Sequence, residues 1–220
     1  EQYRFIRRAE LMIAIIMQSE RPEITQITGS LFASNLIKES IDNYDLAAGA
    51  DKDKGNENVY WKYASGAFGQ YYFGAMSALS LVVRYENDEG DIIFNITQPH
   101  PKQKVSGKQL ADAFDEGLTE EIKTLFYNCI KKGKLSQNNI SELIEYFAID
   151  KVNPESIEWK LYVEMLLDKD YPSKEIEEDA GGSCRVLSIR AQITETLKQF
   201  PTVKNVVISV DGRVDDALQP

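Results

Sequence analysis

Histidine occurs once in this 220-residue sequence, and cysteine twice. Catalysts built on Ser–His–Asp or Cys–His need an imidazole that packing and an orienting partner hold in place. His100 sits in a loop between Pro99 and Pro101 with no such partner near it in sequence. Cys129 and Cys184 are too few for a disulfide framework or a four-ligand zinc site. Each falls in a helical pattern and reads as a buried free thiol. Long apolar runs are also missing. "LMIAIIM" (Leu11–Met17) is far short of the roughly 20 residues that span a bilayer, and no signal-peptide cleavage pattern follows it. The chain opens on Glu1 rather than Met, which reads as a fragment or processed product.

Positive charge is scarce as well. Lys and Arg number 25 against 35 Asp and Glu, for a formal net charge of −10 and a pI near 4.8. Residues 1–170 hold 19 basic against 27 acidic side chains, and residues 171–220 hold 6 against 8, so both parts are acidic. That balance opposes general affinity for phosphate backbones and anionic lipid.

What remains is a globular composition, 43% hydrophobic and 27% charged, on a chain long enough for one large domain or two small ones. Tyr3–Glu20 reads as a helix so apolar that it should be buried. A second helix is expected from Pro22–Glu23, with Ile24, Ile27, Leu31, Ile37 and Ile41 near the 3.6-residue period. "AAGADKDKGNEN" (Ala47–Asn58) breaks the pattern as an exposed loop. Gly66–Leu81 reads as a helix lined by Phe68, Tyr72, Met76 and Leu79. Val82–Tyr85 and Asp91–Thr97 then read as two strands joined by the polar turn "ENDEG".

The stretch "SGKQLADAFDEGLTEEIKTLFYNCIKKG" reads as one helix, closed by Gly133 with Lys131 and Lys132 in its last turn. Ser136 should cap a helix carrying Ile140, Leu143, Ile144 and Phe147. Asn153–Pro154 should start another carrying Ile157, Leu161, Met165 and Leu166. "DKDYPSKEIEEDAGGS" (Asp168–Ser183) reads as a linker. Beyond it Val186, Ile189, Ile193, Leu197 and Phe200 mark an amphipathic helix stopped by Pro201, and Val206, Ile208 and Val210 a strand ending at Asp211–Gly212.

Motifs that would carry chemistry fail on spacing. "DKDKGNENVYWK" starts like a calcium loop, but its glycine falls fifth rather than sixth and its twelfth residue is Lys62 rather than glutamate. "GQYYFGAM" has phosphate-loop glycines without the lysine and hydroxyl that contact phosphate and magnesium. "IEWK" (Ile157–Lys160) supplies half of a metal-dependent nuclease site, placed in a helix rather than at a sheet edge. Asp112, Asp115, Glu116, Glu120 and Glu121 read as a solvated acidic face. "NIT" at Asn95 and "NIS" at Asn139 match the glycosylation triplet, which informs only for a secreted eukaryotic chain.

Aromatic residues are dense at Tyr60, Trp61, Tyr63, Phe68, Tyr71, Tyr72 and Phe73, with only Lys62 basic among them. Aromatics interleaved with basic residues stack nucleic-acid bases, whereas aromatics alone serve as anchors in protein interfaces. Tyr60, Trp61, Tyr63 and Tyr71 are therefore candidate protein contacts. The alternative, a nucleic-acid contact around the hairpin, would use Arg84, Lys102, Lys104 and Lys108.

The segment from Ser65 to Phe114, helix then hairpin then helix, resembles a winged-helix module. More loosely, residues 1–170 resemble helical and winged-helix regions of bacterial proteins found near restriction and defence genes. Thr97, Gly107, Leu110, Ala111, Ala113 and Phe114 match a recurring phrase there, and "SIEWKLYVEMLL" matches a downstream helix. Residues 174–220 resemble the end of a GerMN domain, the small α/β module of spore-germination and envelope lipoproteins. That likeness rests on Gly181–Gly182–Ser183, Gln192, Thr194, Thr196–Leu197, Phe200–Pro201, Val203 and the strand into Asp211–Gly212. It implies a binding or scaffolding role outside the membrane and transfers no catalytic residue. The two likenesses imply different compartments, so the chain reads as a join of two domain types or a fragment with a seam near Asp168–Gly182.

The expected architecture is mainly α (α+β). A helical, winged-helix-like domain spans 1–170, a linker 171–182 and a small α/β unit 183–220. The expected function is non-enzymatic binding or scaffolding through protein contacts in the cytoplasm, with no catalytic residue, metal or cofactor. The alternatives are a nucleic-acid-binding defence component and an envelope or spore module exported by a signal upstream of Glu1.

Overall fold

The computed structural model describes residues 1–25, 27–39, 42–51, 58–88, 90–101, 103–149 and 152–167. The chain divides after Tyr171, and the described residues all lie in the first unit. The linker, the GerMN-like segment and Cys184 lie outside the described residues.

Helix α1 (Gln2–Glu20) is the post around which the fold is built. Leu11, Met12, Ala14, Ile15, Ile16 and Met17 are fully buried, so its second half is enclosed on nearly every side, as its apolar composition requires. α2 (Ser30–Glu39) packs against it but starts later than the periodicity of Ile24 and Ile27 suggests. The intervening residues turn instead. Ile24 N–H bonds Arg21 O at 3.0 Å, the Gln18 amide donates to Ile24 O at 2.5 Å, and Gly29 takes a left-handed φ of 86° beneath the Tyr60 ring.

Strand β1 (Asn43–Asp45) leads into the short helix α3 (Leu46–Ala50), whose first turn is capped where the Asp45 carboxylate accepts from Ala48 N–H at 2.9 Å. A helical segment from Gly66 follows, with a π-helical turn at Phe68–Tyr72 continuing into α4 (Phe73–Ala78). Its outer face carries Tyr72 and Met76, which the sequence pattern had assigned to the lining; the wide π turn rotates the later residues off the 3.6-residue stripe. β2 (Val82–Glu86) and β3 (Ile92–Ile96) then form an antiparallel hairpin with Arg84 opposite Phe94. Phe94 anchors it, packing against Tyr3, Phe68 and Phe73 at centroid distances of 5.8, 5.1 and 5.1 Å.

The single helix expected after the hairpin is two: α5 (Gly107–Glu116) and α6 (Glu120–Lys132). Gly117 closes the first, and Thr119 caps the second by accepting from Ile122 N–H at 3.3 Å. The break is written in "GLTEE", a stop glycine and then a hydroxyl cap followed by acidic residues favoured by the helix dipole. Gly133 ends α6 with φ 68° and feeds β4 (Lys134–Ser136), which pairs antiparallel with β1, Tyr44 opposite Leu135. α7 (Gln137–Phe147) opens with a Ser136–Asn139 capping box. α8 (Ile157–Leu167) begins after a turn in which Ser156 N–H bonds Asn153 O at 3.0 Å, so Asn153–Pro154 precedes the helix rather than opening it.

The described residues are thus mainly helical, with two two-stranded sheets, β1–β4 and β2–β3. The larger core joins α1 to α2, α3, α6 and α7 through residues such as Leu11, Ile15, Leu46, Ile130, Ile140 and Leu143. A smaller one places Leu81, Val105, Leu110 and Met165 between the foot of the hairpin, α5 and α8.

Candidate functional site

Three of the charged residues of α1, Arg7, Arg8 and Glu10, tie other segments of the chain to it. Arg7 is 2% exposed. Its guanidinium donates to three backbone carbonyls, Ala50, Trp61 and Tyr63, each at 2.5 Å, and lies 5.1 Å over the Tyr60 ring. A planar five-donor fork suits that task, and burial is the main force pulling its pKa down.

Glu10, one turn on, accepts from the Tyr60 hydroxyl and from the N–H groups of Ala67 (3.0 Å) and Phe68 (2.5 Å). A carboxylate supplied by a distant helix thereby caps the helical segment that begins at Gly66. Burial raises the Glu10 carboxyl above its ordinary value against the pull of those hydrogen bonds. The Tyr60 phenol is also raised, first by burial and then by the Glu10 charge.

Arg8 pairs with Asp51 (2.8 and 2.5 Å) and donates to Ile130 O and Lys131 O (2.9 and 3.2 Å) at the negative end of the α6 dipole.

These bonds fix the backbone of Trp61, Tyr63, Ala67 and Phe68 and leave several side chains facing solvent. Trp61 donates its ring N–H to Gln70 Oε1 at 3.0 Å and sits 5.5 Å from the Tyr71 ring. Tyr63 and Tyr71 are 51% and 56% exposed, with Tyr72 and Met76 further along the same helical segment. Two open grooves flank Trp61. One, of about 480 Å³, is lined by Tyr60, Lys62, Tyr63 and Gln70; the other, of about 340 Å³, by Gly29, Leu31, Phe32 and Asn35.

Of the four aromatic contacts expected from sequence, the structure brings Trp61, Tyr63 and Tyr71 to one surface. Tyr60 departs from that expectation. At 7% exposure it is a core residue, held inside by Arg7 and Glu10.

The basic candidates form no comparable group. Arg84 is exposed on β2 with its guanidinium 5.4 Å over the Phe73 ring. Lys104 is half-buried, and Lys108 is paired at 2.7 Å with Asp112 on the next turn of α5. Lys102 lies outside the described residues. His100 is exposed in its loop. Cys129 is buried in the main core, which pushes its thiol pKa up and away from a reactive thiolate. Glu158 of "IEWK" bonds Tyr162 on its own helix; burial raises the carboxyl and pushes the phenol up to about 12.

Sequence reasoning missed Arg7, Arg8 and Glu10 because they lie in a helix otherwise dominated by apolar residues. Their signal was that polarity, placed where a buried helix face demands partners. A second signal was overlooked. From Tyr63 to Val83 the chain carries no charged residue, although much of that stretch is solvent-facing.

No protein-family model, curated protein or solved structure matches the chain. Among the described residues, no helix is long and apolar enough to cross a membrane.

Proposed function

We propose that the chain is a non-enzymatic binding or scaffolding module that works through protein–protein contacts, and that Trp61, Tyr63 and Tyr71 anchor the partner. One observation carries the reading: a solvent-facing helical surface, Gln70–Met76, that is aromatic, apolar and uncharged, beside two grooves. Large rigid aromatics are the side chains that most often dominate interface energetics. The Trp61 and Tyr63 carbonyls are held by Arg7, and Glu10 caps the helical segment that carries Tyr71, so little ordering cost falls on the complex. In the winged-helix reading, this helical segment precedes the wing. Phosphate contact there would need cations, and between Lys62 and Arg84 the segment has none.

A photo-reactive amino acid placed at Tyr71, in cells of the source organism, tests this against the same group at exposed Glu142. We expect a discrete protein adduct at Tyr71 only, at least tenfold reduced by Trp61→Ser. Absence of any site-specific protein adduct, or adducts to nucleic acid alone, would overturn the proposal.

A further inference from the structure

The hairpin has two long edges, and the protein treats them differently. The outer edge of β3 is covered by the chain's own side chains. The Gln2 amide donates to Phe94 O at 2.7 Å, and its oxygen accepts from Phe94 N–H at 2.9 Å, imitating a neighbouring strand. The Tyr3 hydroxyl donates to Ile92 O, and Asn95 Oδ1 accepts from Ile96 N–H at 3.0 Å.

Among the described residues, β2 has no such cover. Backbone bonds from Thr97 N–H to Leu81 O and from Asn87 N–H to Asp91 O set the phase of the ladder. Odd-numbered positions of β2 therefore bond to β3, and the main-chain groups of Val82, Arg84 and Glu86 point outward. Among the described residues nothing bonds to those groups. Val83 and Tyr85 are 45% and 47% exposed. Arg84 and Glu86 are exposed too, and neither has an ion-pair partner among the described residues. Such an edge is a template for an added strand, and a two-stranded ribbon is marginal alone.

The charge order along β2 selects the strand that fits. An antiparallel neighbour in hydrogen-bonding phase sets even positions against even positions. For a second copy of β2, the register centred on Tyr85 places Arg84 opposite the second copy's Glu86, and Glu86 opposite its Arg84. The Tyr85 side chains then meet across the twofold axis on the other face. The register centred on Arg84 would set that charge against itself, and the one centred on Val83 would leave it opposite Val82. Opposite charges facing each other across strands stabilise pairing, and like charges oppose it. The Tyr85 register also gives two hydrogen-bonded pairs that exchange two main-chain bonds each.

We propose that the chain dimerises along the open edge of β2, antiparallel about Tyr85, joining two hairpins into one four-stranded sheet ordered β3–β2–β2–β3. The interface is isologous, as a closed twofold pair requires. It uses residues outside the Trp61–Tyr71 surface and stands or falls independently of the proposed partner contact.

Sedimentation equilibrium of the full chain from about 1 to 500 μM tests it, with Arg84→Glu, Glu86→Arg, an equimolar mixture of the two, and the double variant. The expected result is a concentration-dependent dimer for the native sequence. Each single variant should weaken it at least tenfold, and the mixture and the double variant should restore it. The proposal is wrong if the native chain is monomeric throughout, or if the single variants dimerise normally. It is equally wrong if the mixture fails to associate while both variants keep native circular dichroism. Should either variant misfold, cross-linking decides. In a Cys184→Ser background, oxidised Tyr85→Cys should form a disulfide dimer, because opposed non-hydrogen-bonded positions lie within bridging distance, and Val83→Cys should not. Equal cross-linking at both positions, or none at Tyr85→Cys, refutes the register.

Discussion

Glu10 and Arg7 show how two side chains on one helix decide the placement of a distant surface. Their bonds go mostly to backbone atoms of Ala50–Phe68, so they set main-chain position while aromatic side chains remain outside. The raised Glu10 carboxyl has a measurable consequence. Its folded-state pKa lies above the ordinary 4.5, so the native protein holds this proton more tightly than the unfolded chain. The associated stability is complete below pH 4.5 and is lost as pH rises through the raised value. Glu10→Gln removes that titration. Urea unfolding at pH 4 and pH 7 should therefore show the native protein losing stability relative to the variant as pH rises. Parallel behaviour of the two proteins would show that Glu10 does not titrate in this way. None of this pairing was legible in advance: Arg7 and Glu10 are ordinary helix residues until Tyr60 and Ala67 arrive from far along the chain.

The elements were legible where local chemistry writes their ends. Ser136 before α7 and Gly133 after Lys132 are start and stop signals that the structure uses, whereas Thr119 before Glu120 is a signal of the same kind that the single-helix reading passed over. β1 and β4 were invisible because each is three residues long, too short for alternation to register, and each exists only by pairing with the other. α2 was placed too early because Ile24 and Ile27 are apolar for another reason: the turn before Gly29 brings Ile27 to the main core.

Gly107 shows a similar limit. In sequence it is one small residue at a helix start, but a Cβ there would lie 2.0 Å from Leu81 O and 3.1 Å from Thr97 N. Those backbone atoms belong to the foot of the hairpin and cannot rotate aside. Gly107→Ala should cost about 2 kcal/mol in urea or thermal unfolding. Gly74→Ala, with open space around it in α4, should be neutral or stabilising by up to about 1 kcal/mol. If Gly107→Ala proves as harmless as Gly74→Ala, the close approach of α5 to the hairpin is not a constraint.

At the scale of the first unit, α1 is enclosed in part by helices far along the sequence. α1 meets α6 and α7 as well as α2 and α3. Arg8 bonds Ile130 O, and Met17 Sδ accepts from Ile149 N–H across most of the domain's sequence. A chain ending at Leu118 should therefore leave Leu11, Ile15 and Ile16 uncovered and show non-cooperative urea unfolding with strong dye binding. A sharp transition for that truncation would show that α1 needs neither α6 nor α7. The same arrangement bears on biosynthesis. α1 is translated before α6 and α7, and the residues of those two helices that complete its cover follow more than a hundred codons later. At roughly 5–20 residues per second, its oily flank waits several seconds or more for cover, an interval in which nascent-chain chaperones have something to hold.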